Sequence, residues 1–190
     1  MGDQDRAGSA TQRFLQVLSV SASSRVLAID PSLRCTGYAV LERAGRKTAS
    51  VTYGTIKNSP GMLPSGCLVA IHEKVRELIE QHQPDCAAFE AVIFVQSMKT
   101  AIILGSARGA ALLAAAQRGL PIHEYAPRRV KQGVVGHGGA QKGQVAFMVR
   151  ALLGLTETPA ADAADALAIG LTHLQAIESA GRGAIVLSQI

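Results

Sequence analysis

Tryptophan is absent from this sequence and aromatic residues make up only 4% of it, so any core must be built from aliphatic side chains and alanine. Cysteine is scarce as well. Cys35, Cys67 and Cys86 are an odd number, and no two of them have CxxC spacing. That argues against a disulfide framework and against a zinc site, and it fits a reducing compartment, the cytoplasm. Three small buried or half-buried thiols are the simplest reading. No run of 18 apolar residues is free of charges and turn residues, so no transmembrane helix and no membrane partner are expected. Residues 14–22 (FLQVLSVSA) have the look of a signal-peptide core, but the stretch is short and Asp3 and Asp5 spoil a basic leader. Internal repeats are lacking.

What is there is a chain of 190 residues, 48% apolar, with a formal net charge of +5 and a pI near 9.4. The length suits one domain, and the charge leans toward a polyanionic partner without identifying one. Residues 1–23 are rich in Gly, Ser, Gln and Asp and read as an extension outside the fold. A single domain is expected over 24–177, followed by a Gly-containing tail from 178 to 190. Within the domain, RVLAIDPS is a buried strand stopped by Pro31 and Ser32, residues 36–42 are a second strand, and 48–57 alternate as a third after the turn at Gly45. Short links make these three an antiparallel meander. Residues 66–82 have helical periodicity through Leu68, Ile71, Val75, Leu78 and Ile79, and 86–92 (CAAFEAV) read as a strand. A helix over 98–118, a strand at 121–125, a helix or turn at 127–135, a Gly-rich loop at 136–139 and a helix over 140–153 follow. Thr158 as N-cap and Pro159 at the first helical position open a last helix that runs to about residue 177. Three antiparallel strands, then two strands alternating with helices, predict an RNase H-like α/β fold with a five-stranded mixed sheet. Fold order alone names no function.

Four carboxylates stand in apolar surroundings. Glu90 lies in CAAFEAVIF with no Lys or Arg within eight residues on either side, where an ionised group is costly unless compensated. Asp30 ends the first strand; the plainer alternative is that it caps the turn at Pro31 and Ser32. Asp162 and Asp165 are the only charges in PAADAADALAIGLTHLQAI. Their i, i+3 spacing puts them on one helix face, about 5–6 Å apart at Cβ, where like charges repel. The helix dipole accounts for an acid in the first turn, which suits Asp162 better than Asp165. Four hard oxygen donors on three elements point to a cation, Mg²⁺ or Mn²⁺ rather than zinc. Two such ions about 4 Å apart can activate a water and steady the leaving oxygen of a phosphodiester.

The segments AIDPSLRCTGYAV, FEAVIF with LGSARGA, EYAPRRVKQGVVGHGGAQKGQV and ADAADALAIGLTH occur in the order and spacing of the RuvC family of Holliday-junction resolvases, which this chain resembles from about residue 25 to 173. The resemblance implies a homodimer that holds a four-way DNA junction, nicks two opposing strands, leaves 5′-phosphate and 3′-hydroxyl ends, and works beside a branch-migration motor. It implies two Mg²⁺ ions per site. Asp30 matches the first-strand acid and is expected to bridge both metals; Glu90 matches the fourth-strand acid and is expected to hold the ion beside the attacking water; Asp162 and Asp165 match the last-helix pair. Lys131 and Lys142 match basic positions associated with DNA contact and the scissile phosphate. Lys142 is the candidate to offset transition-state charge.

The chain departs from the family pattern in places. Where the family has Phe three residues after the strand Glu, Ile93 stands here and Phe94 follows, so Phe94 is a candidate to stack on a junction base, with an ordinary core aromatic as the alternative. Gly66-Cys67 replace an Arg-Leu pair, and Ser97 stands where Asn is frequent. Arg128 and Arg129 extend the basic stretch and are candidate DNA contacts or simply a solvated face. The loop GHGG at 136–139 could close on a phosphate through its amides and is no nucleotide P-loop, and His137 reads best as a loop residue. The alternatives are a branched-DNA-binding protein of this fold that does not cut, an RNA-processing nuclease, and an actin-like ATPase or sugar kinase, for which the chain is too short.

Overall fold

The computed structural model describes residues 23–92 and 97–181. The expectations for the leading extension, for Ile93 and Phe94, and for the end of the tail lie outside those residues.

Strands β1 (Ser23–Asp30), β2 (Cys35–Ala44) and β3 (Lys47–Lys57) form the meander, both pairs antiparallel. Helix α1 (Pro64–His82) then leads to β4 (Cys86–Glu90), which pairs parallel to β1. Helix α2 (Met98–Gln117) leads to β5 (Ile122–Tyr125), parallel to β4. Helices α3 (Pro127–Val135), α4 (Lys142–Leu153) and α5 (Ala161–Gly181) complete the described chain. The strand order is β3-β2-β1-β4-β5, the expected five-stranded mixed sheet of the RNase H-like class.

Side chains alternate between faces of a strand, and two apolar clusters follow from that alternation. Val26, Ala28, Cys86 and Ala88 pack with α3, α4 and α5. Leu27, Ile29, Ala87 and Phe89 pack with α1 and α2. The aromatic deficit is met as expected. Phe89 is the largest fully buried side chain, and Ala163, Ala164, Ala166 and Ala168 let α5 lie close on the sheet.

Two boundaries differ from expectation. The last helix begins at Ala161 rather than at the Thr158-Pro159 signal, because Pro159 is buried and the Ala160 carbonyl accepts the first helical bond, from the Ala164 amide at 2.8 Å. The helix also runs past residue 177. Arg43 of β2 pairs with Glu178 at 2.5 Å and donates to the Leu174 carbonyl at 3.2 Å, which ties the added turn to the sheet. Helix α2 is long and apolar enough to cross a membrane by length and composition, although charged and turn residues interrupt its apolar run. Its Ala107, Ala111, Ala114 and Ala115 are buried against the neighbouring layer, and its Arg108 is ion-paired with Glu124 of β5 and lies over the Phe89 ring at 5.5 Å.

Candidate active site

Strand register brings the first two acids together. Ile29 pairs with Phe89, so Asp30 and Glu90 are the next residues on neighbouring parallel strands, which lie about 4.8 Å apart. Alternation continues the face of Ala28 and Ala88 through both acids, toward the layer that holds α5. The turn beyond Asp30 does not depend on an Asp cap. Thr36 closes it instead, donating to the Ser32 carbonyl at 2.6 Å and accepting from the Ser32 amide at 3.1 Å.

The start of α5 supplies the second pair. A side chain on Gly37 of β2 would overlap the Asp162 carbonyl oxygen, so glycine is what lets the helix start seat itself beside β1. Gly37 pairs with Asp30 across the antiparallel ladder, which places Asp162 next to the end of β1. Asp165 follows one turn later.

The electrostatics of the acids follow from this placement. Burial, then the charges of Glu90, Asp165 and Asp162, push the Asp30 carboxyl from an ordinary 3.8 up to about 7, against a smaller opposing pull from Lys142. Burial and then Asp165 push Glu90 above the usual carboxylate range, while Lys142 and Lys131 oppose the shift. Asp30 and Glu90 line a cleft of about 290 Å³ with Pro31, Ala91, Val92, Leu104 and Pro127. Asp30 and Glu90 therefore share one cleft, with Asp162 and Asp165 within electrostatic reach of Asp30.

The lysines reach it from the neighbouring helices. Gln141 and Gln144 close a capping box at the start of α4, and this fixes the turn from which Lys142 projects. Lys142 Nζ lies 3.4 Å from Asp165 Oδ2, and that carboxylate holds the lysine above its ordinary pKa. Lys131, on α3, is near enough to stabilise ionised Glu90. Arg128 and Arg129 are exposed on the same helix. The Arg128 stem lies over Gly138, and Arg129 lines a separate groove of about 240 Å³ with Gln132, Thr172 and Gln175. His137 is exposed in its loop.

Two features went unread in the sequence. The Asp162 side chain beside Cys35 raises the thiol's pKa. Cys86, His123 and His173 form a buried cluster on the same sheet face as the acids. No motif signals it, because the three residues sit on three elements far apart in sequence.

The four acids suit a hard divalent cation. They crowd oxygen donors against one ion-paired lysine, and the strain appears in the raised Asp30 and Glu90.

Comparison with known proteins gives the family. The family model described as crossover junction endodeoxyribonuclease RuvC matches residues 26–173. A crossover junction endodeoxyribonuclease RuvC of Akkermansia muciniphila is 56% identical over 150 residues, covering 79% of this chain and 90% of that protein. The protein of the same name from Edwardsiella ictaluri is 46% identical over 159 residues, covering 84% and 91%. The solved structure of T. thermophilus RuvC in complex with a Holliday junction substrate superposes with a TM-score of 0.79 at 36% identity, covering 88% of this chain and 99% of that one.

Proposed function

The chain belongs to the RuvC family of crossover junction endodeoxyribonucleases, and from that premise we propose that it resolves four-way DNA junctions by paired, metal-dependent hydrolysis of two opposing phosphodiesters. The observation that carries the reading is geometric: Asp30 and Glu90 end neighbouring parallel strands and line one cleft, beside the helix start that bears Asp162 and Asp165. A Mg²⁺ pair held there would lower the pKa of a water and polarise the scissile phosphate.

The chain's own residues do the rest. Asp30, electrostatically coupled to the other three acids, would hold the metal with them. Glu90, on the next strand, would orient the attacking water. Asp162 and Asp165 would complete the oxygen donor set from the helix. Lys142, 77% exposed, is free to turn from Asp165 toward a phosphate and offset its charge in the transition state. Hydrolysis leaves a 5′-phosphate and a 3′-hydroxyl with no covalent enzyme intermediate. Lys131, Arg128 and Arg129 extend the basic surface along α3 for the DNA backbone.

A homodimer suits a four-armed substrate, and α2 supports one. Met98, Ile102 and Leu113 are exposed on a helix face that also carries Gly105 and Gly109, where a second copy can approach closely. A branch-migration motor and a cytoplasmic location are the accompanying expectations. With Mg²⁺, the protein should place symmetric nicks in a synthetic four-way junction much faster than in linear duplex. Junction binding without metal-dependent cleavage would favour the non-cutting alternative, and preference for structured RNA would favour the RNA-processing one.

A further inference from the structure

Strand β4 carries reactive side chains at both ends of one face. Glu90 is at the carboxyl end, and Cys86, four residues earlier, is at the other, about 13 Å away along the strand. Helix α5 passes over both, and His173 lies eight residues beyond Asp165, about 12 Å along the helix axis. His123 of β5 joins them.

The donor atoms of Cys86, His123 and His173 all lie within 4.8 Å of one another. Cys86 Sγ is 3.0 Å from His173 Nε2. The two imidazole rings are 4.7 Å apart, centroid to centroid. The cluster is sealed, with relative exposures of 7%, 4% and 0% for Cys86, His123 and His173. The Tyr125 hydroxyl is 2.8 Å from His173 Nδ1. That bond fixes the ring and aims Nε2 at the sulfur, as the outer partner of a metal-ligating histidine does. One thiol and two imidazoles, with no carboxylate among them, select soft or borderline cations and not the hard ions of the acid site.

We propose that Cys86, His123 and His173 form a second metal site, distinct from the acid cluster, that takes copper(I) in three-coordinate geometry. Charge and coordination number separate copper(I) from zinc. A thiolate and two neutral imidazoles around a divalent ion leave a net positive charge in an alanine- and leucine-lined core, whereas around a monovalent ion they leave none. Zinc also calls for a fourth ligand, and among the described residues the neighbouring Tyr125 hydroxyl is engaged with His173 Nδ1. On binding, the S–H bond of Cys86 breaks, its proton passes to solvent and a sulfur–copper bond forms; no electron is transferred. His173 arrives neutral, since burial and then the neighbouring His123 push it down to about 3.

The test uses the full chain carrying Cys35→Ser and Cys67→Ser, so that Cys86 is the one thiol. Copper(I), buffered anaerobically by a competing chelator, is added to the folded protein and, separately, during refolding, because the site is closed to solvent. The expected result is one copper per chain, with X-ray absorption showing one sulfur and two nitrogen neighbours, and a melting temperature raised by copper. Tyr125→Phe should weaken binding about 10–100-fold, the usual cost of losing an outer-shell partner. His123→Phe, which retains a ring of similar size, should weaken it at least as much, and Cys86→Ser should abolish the sulfur signal. No copper uptake by either route, or uptake indifferent to His123→Phe in a variant that melts cooperatively, would overturn the site. Tighter binding of zinc than of copper(I), lost in the same variants, would overturn the monovalent assignment.

Discussion

The two ends of the β4–α5 pair bury ionisable groups to opposite effect. At the acid end, Asp30 and Glu90 are pushed toward their protonated forms, yet the site's neighbours are other carboxylates and a largely exposed lysine. At the other end, burial pushes Cys86 up to about 12 and His173 down to about 3, so both are neutral, and the thiol, imidazole and Tyr125 hydroxyl satisfy one another. The same strand and helix therefore hold one cluster in which like charges oppose one another and one in which thiol, His173 imidazole and hydroxyl are paired. Burial of like charges and burial of mutually hydrogen-bonded neutral groups thus leave different electrostatic signatures on one sheet face.

The comparison breaks most visibly in catalysis. Asp165→Asn should keep junction binding and cut cleavage by about 10²–10³-fold, the scale of removing one preorganised electrostatic group, whereas Cys86→Ala should leave cleavage per folded molecule unchanged. Gel assays of nicking would show it, and an acid variant cutting at the parental rate would erase the distinction.

Stability against pH is the next test. Asp30 releases its proton near 3.8 when unfolded and near 7 when folded, so the metal-free native state holds the extra proton between those values. Stability falls as pH rises through that window and levels off above it. Asp30→Asn should flatten that slope and, at pH 7, stabilise the metal-free protein by at most about 4 kcal/mol. Thermal melts across the window decide it; an undiminished slope in the variant removes Asp30 as its source. Divalent ions should raise the parental melting temperature and have less effect on the variant.

Smaller effects sharpen the contrast. Cys86→Ala strands His173 Nε2 in the core and should cost about 1–3 kcal/mol in urea denaturation, as loss of a buried hydrogen-bond partner does. Smallest is Lys131→Ala, which should weaken junction binding and lower the slope of log affinity against log salt by about one, the signature of one phosphate contact. An unchanged slope would take Lys131 off the DNA surface.

Much of the fold was legible because period-2 and period-3.6 patterns in β1–β3 and α1 are set locally by which face is buried. The four acids stood out because each interrupts an apolar run. The start of α5 was misplaced because Thr158-Pro159 is a strong local signal, and packing of Pro159 overrode it. Its far end was misplaced because the Arg43–Glu178 pair is a contact between residues 135 apart. Gly37 stood in a motif, but its steric role at Asp162 depends on a neighbour it meets only in the folded chain.

What the sequence determined by itself was the order of elements, the sheet's two apolar faces and the choice of four acids as candidates, because these rest on local patterns of burial. What only the tertiary structure decided was which end of each face those groups occupy. The acids gather because two parallel strands finish side by side under a helix start, and the Cys86–His123–His173 cluster forms because the same helix passes back over the opposite strand ends. Neither coincidence leaves a trace in local periodicity, since it is strand register and close helix-on-sheet packing that create it.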